Sequence, residues 1–123
     1  MSGGAAGERP TGRARADDAV DGAVDVVFTA LADATRRELL REVVARAPVT
    51  ATELAADRAI SRQAVAKHLR ALEEAGLVTA RREGRETRYE ADPAPLGAAS
   101  AWIDATGAAW RRRLGRLRRA VEG

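Results

Sequence analysis

The stretch SRQAVAKHLRALEEAGLVTARREGRETRYEA, residues 61–91, decides how the rest of the chain is read. Ser61 has the side chain of a helix N-cap, able to accept from the orphan amides of a first turn, and Gly76 is the residue type that stops a helix in the left-handed conformation. Between them Val65, Leu69 and Leu72 recur at spacings of four and three, and Ile60 adds to the same apolar stripe just before the cap. One face is thereby committed to a core, and the others carry Arg62, Gln63, Lys67 and Arg70. Residues 58–72 hold four cations, Arg58, Arg62, Lys67 and Arg70, and no acid. Guanidinium, ammonium and carboxamide groups are the ones that pair with guanine and adenine edges in a major groove or grip phosphate oxygens. A basic face on an amphipathic helix is commonly only a solvated surface, so the segment after the helix matters. There Val78 and Ala80 alternate with polar residues, REGRE turns around Gly84, and Thr87, Tyr89 and Ala91 alternate again, which predicts a β-hairpin. Arg81, Arg82, Arg85 and Arg88 crowd this hairpin, and Arg85 near its tip has the shape for a minor groove or flanking phosphates.

Upstream, Val20, Val24, Val27, Phe28 and Leu31 recur at helical spacing, with Asp21 and Asp25 near the start, where the helix dipole favours acids. Asp33 caps a second helix in which Leu39, Leu40, Val43 and Val44 form the predicted buried stripe and Arg36, Arg37, Glu38, Arg41 and Glu42 stay outside; it ends before Pro48. Thr50-Ala51-Thr52-Glu53 is a capping box that opens a short helix containing Leu54 and Ala55. Together with the helix that Ser61 opens soon after, it predicts a helix-turn-helix whose second helix is the more basic.

Downstream, Asp92-Pro93-Ala94-Pro95 breaks the chain before a long final helix. Its stripe runs through Leu96, Ala99, Ile103, Thr106, Trp110, Leu114, Leu117 and Val121, more than a core of this size covers. Small residues beside it, Gly97, Ala98, Ala101, Ala105, Gly107, Ala108 and Ala109, permit close approach of another helix. The reading is a homodimer through the first and last helices, with Val24, Val27, Phe28, Leu31, Leu96, Ile103, Trp110, Leu114 and Leu117 at the interface. The alternative is a helix folded back on its own domain. Three segments result: a disordered basic arm over 1–18, a winged helix-turn-helix over 19–92, and a dimerisation helix over 93–123. The fold class is mainly α with a β-hairpin wing.

Across 123 residues, 21 Lys and Arg against 18 Asp and Glu leave a net charge of only +3. The charge is segregated, however. Residues 16–57 carry nine acids and four arginines, a net −5; residues 58–90 carry eight cations and five acids, a net +3; residues 111–123 carry six arginines and one glutamate, a net +5. Such segregation suits a polyanionic partner. Cysteine is absent, which excludes disulfides and thiolate metal sites, and His68 is the only histidine. No charge-free run approaches the roughly 20 apolar residues of a membrane span, and the Gly-, Ala- and Arg-rich start lacks the apolar centre of a signal peptide, so the expected compartment is the cytoplasm.

In this order, the first helix, LADATRRELL, TATELAAD, SRQAVAKHLRALEEAGLV and RREGRETRYEAD resemble the ArsR family of small bacterial winged-helix repressors, over about residues 24–122. The run AVAKHLRALEEAGLV joined to the arginine-rich wing is the most specific part. The resemblance implies a homodimer built from the first and last helices, with each basic helix in a successive major groove of an inverted repeat. By position it implies DNA contact at Arg62, Gln63, Lys67 and His68 and at the wing-tip Arg85. To these the charge pattern adds Arg58, Arg70 and Arg88, and the candidate interface also takes in Ser61 and Ala66 of the same helix. Ala66 departs from the hydroxyl residue many members carry, and Ala59 from a frequent glycine. The thiolates of metal-sensing members correspond to Thr50 and Thr52, which offer no soft anionic ligand, and the last helix has Asp104 and Glu122 but no histidine. The implied regulator uses no metal or cofactor, and its inducer is an unknown small molecule or another signal.

Other classes are weaker on the same residues. A winged-helix module that binds an acidic protein instead of DNA stays open. A phosphate-binding glycine loop, an HExxH helix and a nucleophile elbow are all lacking, and Ser61 and His68 stand about 10 Å apart along one helix axis, too far to share a proton. Trp102 lies off the apolar stripe and could line a ligand pocket.

Overall fold

The computed structural model describes residues 16–122. The arm expected over 1–18 therefore lies almost entirely outside the described residues, and its last three positions already belong to the first helix. Five helices and three strands run in the order α1 (Ala16–Leu31), α2 (Ala34–Arg46), β1 (Val49–Thr50), α3 (Ala51–Ala55), α4 (Arg62–Glu74), β2 (Val78–Glu83), β3 (Glu86–Ala91) and α5 (Ala94–Glu122).

The local signals act where the sequence places them. Asp33 accepts from the Arg36 amide at 3.0 Å and caps α2. This bond to the backbone is the largest influence holding its carboxyl below the ordinary aspartate range. Thr50 and Glu53 close a reciprocal capping box, with bonds of 3.1 and 2.9 Å, at the start of α3. Ser61 Oγ accepts from the Ala64 amide at 3.1 Å and starts α4. Between α1 and α2 the chain is tied by two side chains that the α2 pattern simply places outside. Arg36 Nε donates to the Ala30 carbonyl and Arg37 Nη1 to the Leu31 carbonyl, each at 2.6 Å, so cations of α2 satisfy the carbonyl end of α1.

The exit from α4 is a Schellman motif. Gly76 N donates to the Glu73 carbonyl and Leu77 N to the Leu72 carbonyl, both at 2.9 Å, with Gly76 at φ +79°. Leu72 and Leu77, the apolar pair that accompanies this geometry, are both fully buried. A Cβ at position 76 would sit 3.4 Å from Pro95 Cγ, so space is not the obstacle and conformation is. Gly76→Ala is expected to cost about 1–2 kcal/mol, the left-handed penalty of an L-residue, read as a lower urea midpoint at unchanged m-value.

The wing is a sheet of three strands in the order β1-β3-β2, one more than the hairpin expected. β1 adds Val49 opposite Tyr89 and Thr50 opposite Arg88. The core gathers Val24, Val27 and Ala30 of α1, Leu39, Leu40 and Val43 of α2, Val49, Leu54, the α4 stripe of Val65, Leu69 and Leu72, then Leu77, Val78 and Ala99.

Two expectations are corrected. Val24 and Val27, expected at a dimer surface, are each 1% exposed inside their own protomer, because α1 packs that face on its own domain. Val44, expected in the α2 stripe, is 62% exposed, because Leu39, Leu40 and Val43 already fill the side turned to the core. Leu31 and Leu96, also expected at the dimer surface, are half-buried and pack against the core. On α5 only Ala99 is buried. Ile103, Trp110, Leu114, Leu117 and Val121 are all exposed, Trp110 at 58%. Trp102 stands edge-on to Phe28 with ring centroids 5.7 Å apart, which joins α5 to α1.

Candidate nucleic-acid interface

α4 buries Val65, Leu69 and Leu72 completely and so fixes which side chains face outward. Gln63, Lys67 and Arg70, at steps of four and three, make one exposed row, with Arg62 exposed beside them. None of these four takes part in an ion pair with another described residue, so their donors are available. Ala66 is half-buried between them. At the N-terminus of α4, Ser61 is exposed and spends its hydroxyl on the cap. His68 is half-buried on the side of α4 turned to the start of α2, where it lines a shallow depression with Asp33, Arg36 and Lys67. Glu74 continues the row of Gln63, Lys67 and Arg70 and makes its far end acidic, so the positive potential is concentrated over the first turns of α4.

Arg58, expected at the DNA surface, is placed elsewhere. Its Nη1 lies 3.1 Å from Glu38 Oε1 and its Nη2 3.4 Å from Glu42 Oε2, and its side chain is only 16% exposed. Its Nε is buried with no acceptor among the described residues. Glu42 in turn accepts from Arg46 at 2.8 Å, the bond that does most to hold its carboxyl below the ordinary glutamate range. Arg58 thus ties the turn before α4 to α2 instead of facing a ligand. Arg58→Met is expected to cost about 1–3 kcal/mol of stability, as removal of charged hydrogen bonds does. DNA affinity should fall while the slope of log affinity against log salt stays as it was, since no phosphate contact is removed. A shallower slope would return Arg58 to the interface.

The wing is also less positive than its arginine count suggests. Arg81 and Arg88 sit directly opposite each other on β2 and β3. Their repulsion is offset by glutamates: Arg81 pairs with Glu83 at 3.0 Å and Glu90 at 3.4 Å, and Arg88 with Glu83 at 3.0 Å and Glu86 at 2.7 Å. Arg88, expected as a DNA contact, is therefore held along the wing surface. Arg82 folds back on the Gly84 carbonyl at 3.0 Å. Arg85 alone of the four stands at the tip with no bond to another described residue. Gly84, at φ +61°, takes the one positive φ of the two-residue loop and leaves Arg85 in an ordinary conformation, the pattern of a II′ turn. The glutamates escape a count of arginines along the sequence because their pairing runs along one strand or across to the next, which only the register reveals.

A short helix and an exposed basic helix joined by a braced turn, with a wing beyond them carrying a cation at its tip, define a winged helix-turn-helix DNA-binding protein. A family model described as a helix-turn-helix domain matches residues 31–81. The uncharacterized HTH-type transcriptional regulator YuzN of Bacillus subtilis is 46% identical over 72 residues, 54% of this chain and 78% of that protein. The HTH-type transcriptional regulator Rv2034 of Mycobacterium tuberculosis is 41% identical over 80 residues, 65% of this chain and 74% of that protein. Among solved structures, an ArsR-like transcriptional regulator from Rhodococcus sp. RHA1 superposes with a TM-score of 0.73 at 42% identity, covering 82% of this chain and 94% of that one. The chain belongs to the ArsR family of winged helix-turn-helix proteins and is a DNA-binding transcriptional regulator. No helix among the described residues is long and apolar enough to cross a membrane.

Proposed function

We propose that the chain acts as a homodimeric repressor that reads an inverted repeat, placing α4 in the major groove of each half-site and the wing tip on the flanking backbone. The observation that carries this is the orientation of α4, apolar on the buried side and bare of acids over its first turns on the other. In this reading Gln63 and Arg62 meet base edges, Lys67, Arg70 and Arg85 hold phosphates, and Ala66 leaves room for a base methyl group. Ser61 caps the helix at the groove floor, and His68 braces α4 against the start of α2. Arg58 and Arg88 act as positioning residues.

The exposed stripe of α5, with Phe28 beside it, supports the dimer, since Ile103, Trp110, Leu114 and Leu117 form one continuous apolar band. Occupation of the operator would then block transcription. The signal that relieves it is assigned to a small molecule or another protein. A thiophilic metal is disfavoured by donor chemistry: the chain has no cysteine, and the Thr50 hydroxyl is already committed to capping α3. No reaction is assigned to the chain. Titration of a duplex carrying the operator, at a concentration well above Kd, tests the reading. Two chains per duplex, with much weaker binding to a duplex holding one half-site, is the expected result; one chain per duplex would contradict it.

A further inference from the structure

We propose that the last three turns of α5 form a second DNA-binding surface, on which Arg112, Arg116 and Arg119 grip the phosphate backbone of duplex outside the segment read by α4. Three arginines of the wing and the α3–α4 turn have little positive charge to spare, because Arg58, Arg81 and Arg88 each make two ion pairs, which leaves Arg85 at the tip and Arg82, bonded to a carbonyl, as the wing's unpaired cations. By contrast Arg111, Arg112, Arg113, Arg116, Arg118 and Arg119 are all exposed, and none pairs with another described residue. After Asp104 the only acid is Glu122. The densest run of unpaired cations among the described residues is therefore on α5, an element other than the recognition helix.

Its arrangement is ordered. Ile103 and Leu114, Thr106 and Leu117, and Trp110 and Val121 are each separated by 11 residues. That repeat, about 3.67 residues per turn, keeps an apolar stripe on one side of a nearly straight helix. The arginines are confined to the remaining surface for the same length. Arg111, Arg112, Arg116 and Arg119 line a shallow groove whose floor is Ala108 and Gly115. The guanidinium of Arg111 lies over Gly107 and that of Arg119 over Gly115, with Nη1 atoms 3.3 and 3.5 Å from where a Cβ would stand. Each glycine thus lets an arginine four residues on lie flat against the helix and extend the charged surface along its axis.

A polyanion fits this surface by charge, and duplex DNA is the polyanion this regulator already binds. The groove offers no large apolar side chain, which the centre of a protein interface would need. An acidic membrane would engage the Trp110, Leu114, Leu117 and Val121 side of the helix, opposite the groove. The inference rests on the DNA-binding function but not on the dimer, because the arginine groove and the apolar stripe occupy opposite faces.

The test compares the full chain with the triple variant R112Q/R116Q/R119Q, in which glutamine preserves helix propensity. Both are titrated by fluorescence anisotropy against a random-sequence duplex of about 40 base pairs from 50 to 200 mM salt. Removing three arginine–phosphate contacts reduces the log-log slope by about 0.9 each, so the wild-type affinity should fall about 40-fold more than that of the variant across this range. Equal slopes in two proteins that both bind would overturn the proposal while leaving the regulator intact. Equal slopes together with co-sedimentation of the wild type on phosphatidylserine vesicles would overturn it in favour of a membrane surface. Failure of the wild type to bind any duplex would overturn this inference and the DNA-binding function together.

Discussion

Trp110→Ala is expected to convert the protein to monomer at micromolar concentration and to remove most of its operator affinity. Trp110 is 58% exposed in the single chain and lies midway along an apolar band running from Ile103 to Val121, so a partner helix would cover it near the centre of the contact. Large aromatic side chains at the centre of an interface commonly cost about 2 kcal/mol or more when truncated. A two-fold interface uses each residue twice. The dimer should therefore be weakened by about 4 kcal/mol, roughly a thousandfold in its dissociation constant. The isolated domain should keep its stability, because α1 and α5 supply Val24, Val27, Ala30 and Ala99 to the core, with Leu31 and Leu96 packed against it, and Trp110 is not among them. Sedimentation equilibrium with parallel urea denaturation checks both halves. An unchanged association state would mean that the α5 band is not the dimer surface, and a drop in folding stability would mean that Trp110 serves its own protomer.

Replacement of Gln63 or Arg62 by alanine should weaken operator binding by about 1–3 kcal/mol at each half-site, so about 2–6 kcal/mol for a two-fold complex, while binding to random DNA changes little. Both side chains project from the exposed side of the first turns of α4, whose orientation is set by three fully buried apolar residues and the Ser61 cap. Lys67→Gln should act in the opposite manner, weakening every duplex alike and lowering the salt slope by about 0.9 for each phosphate no longer neutralised. Competitive anisotropy with operator and random duplexes separates the two. Equal weakening on both duplexes for Gln63→Ala would assign that residue to the backbone.

The features legible in the sequence are those set by neighbours a few residues away. Asp33, Thr50, Ser61 and Gly76 each act within one helical turn, and all four do what their residue types announce. The hairpin likewise needs only Gly84 and the alternation around it. The illegible features depend on residues distant in sequence. Val49 and Thr50 are a strand only because Tyr89 and Arg88 lie opposite, and two residues carry no periodicity of their own. Arg58 looks free in the sequence because Glu38 and Glu42, which hold it, stand one helix earlier. Val24 and Val27 share an amphipathic face with Phe28, and periodicity alone does not distinguish a face buried in its own domain from one buried against a copy. Charge counting makes the wing strongly basic, whereas its glutamates turn inward on its arginines and leave Arg85 and α4 to carry the site.

That the exposed side of α4 reads a particular DNA sequence is tested most directly by fluorescence anisotropy of the full chain against tiled fragments from upstream of its own gene, with random duplex as competitor. One fragment that binds tightly and resists competition is the predicted result. Failure of every fragment to bind at low salt, or binding that random duplex displaces equally from all of them, would contradict it.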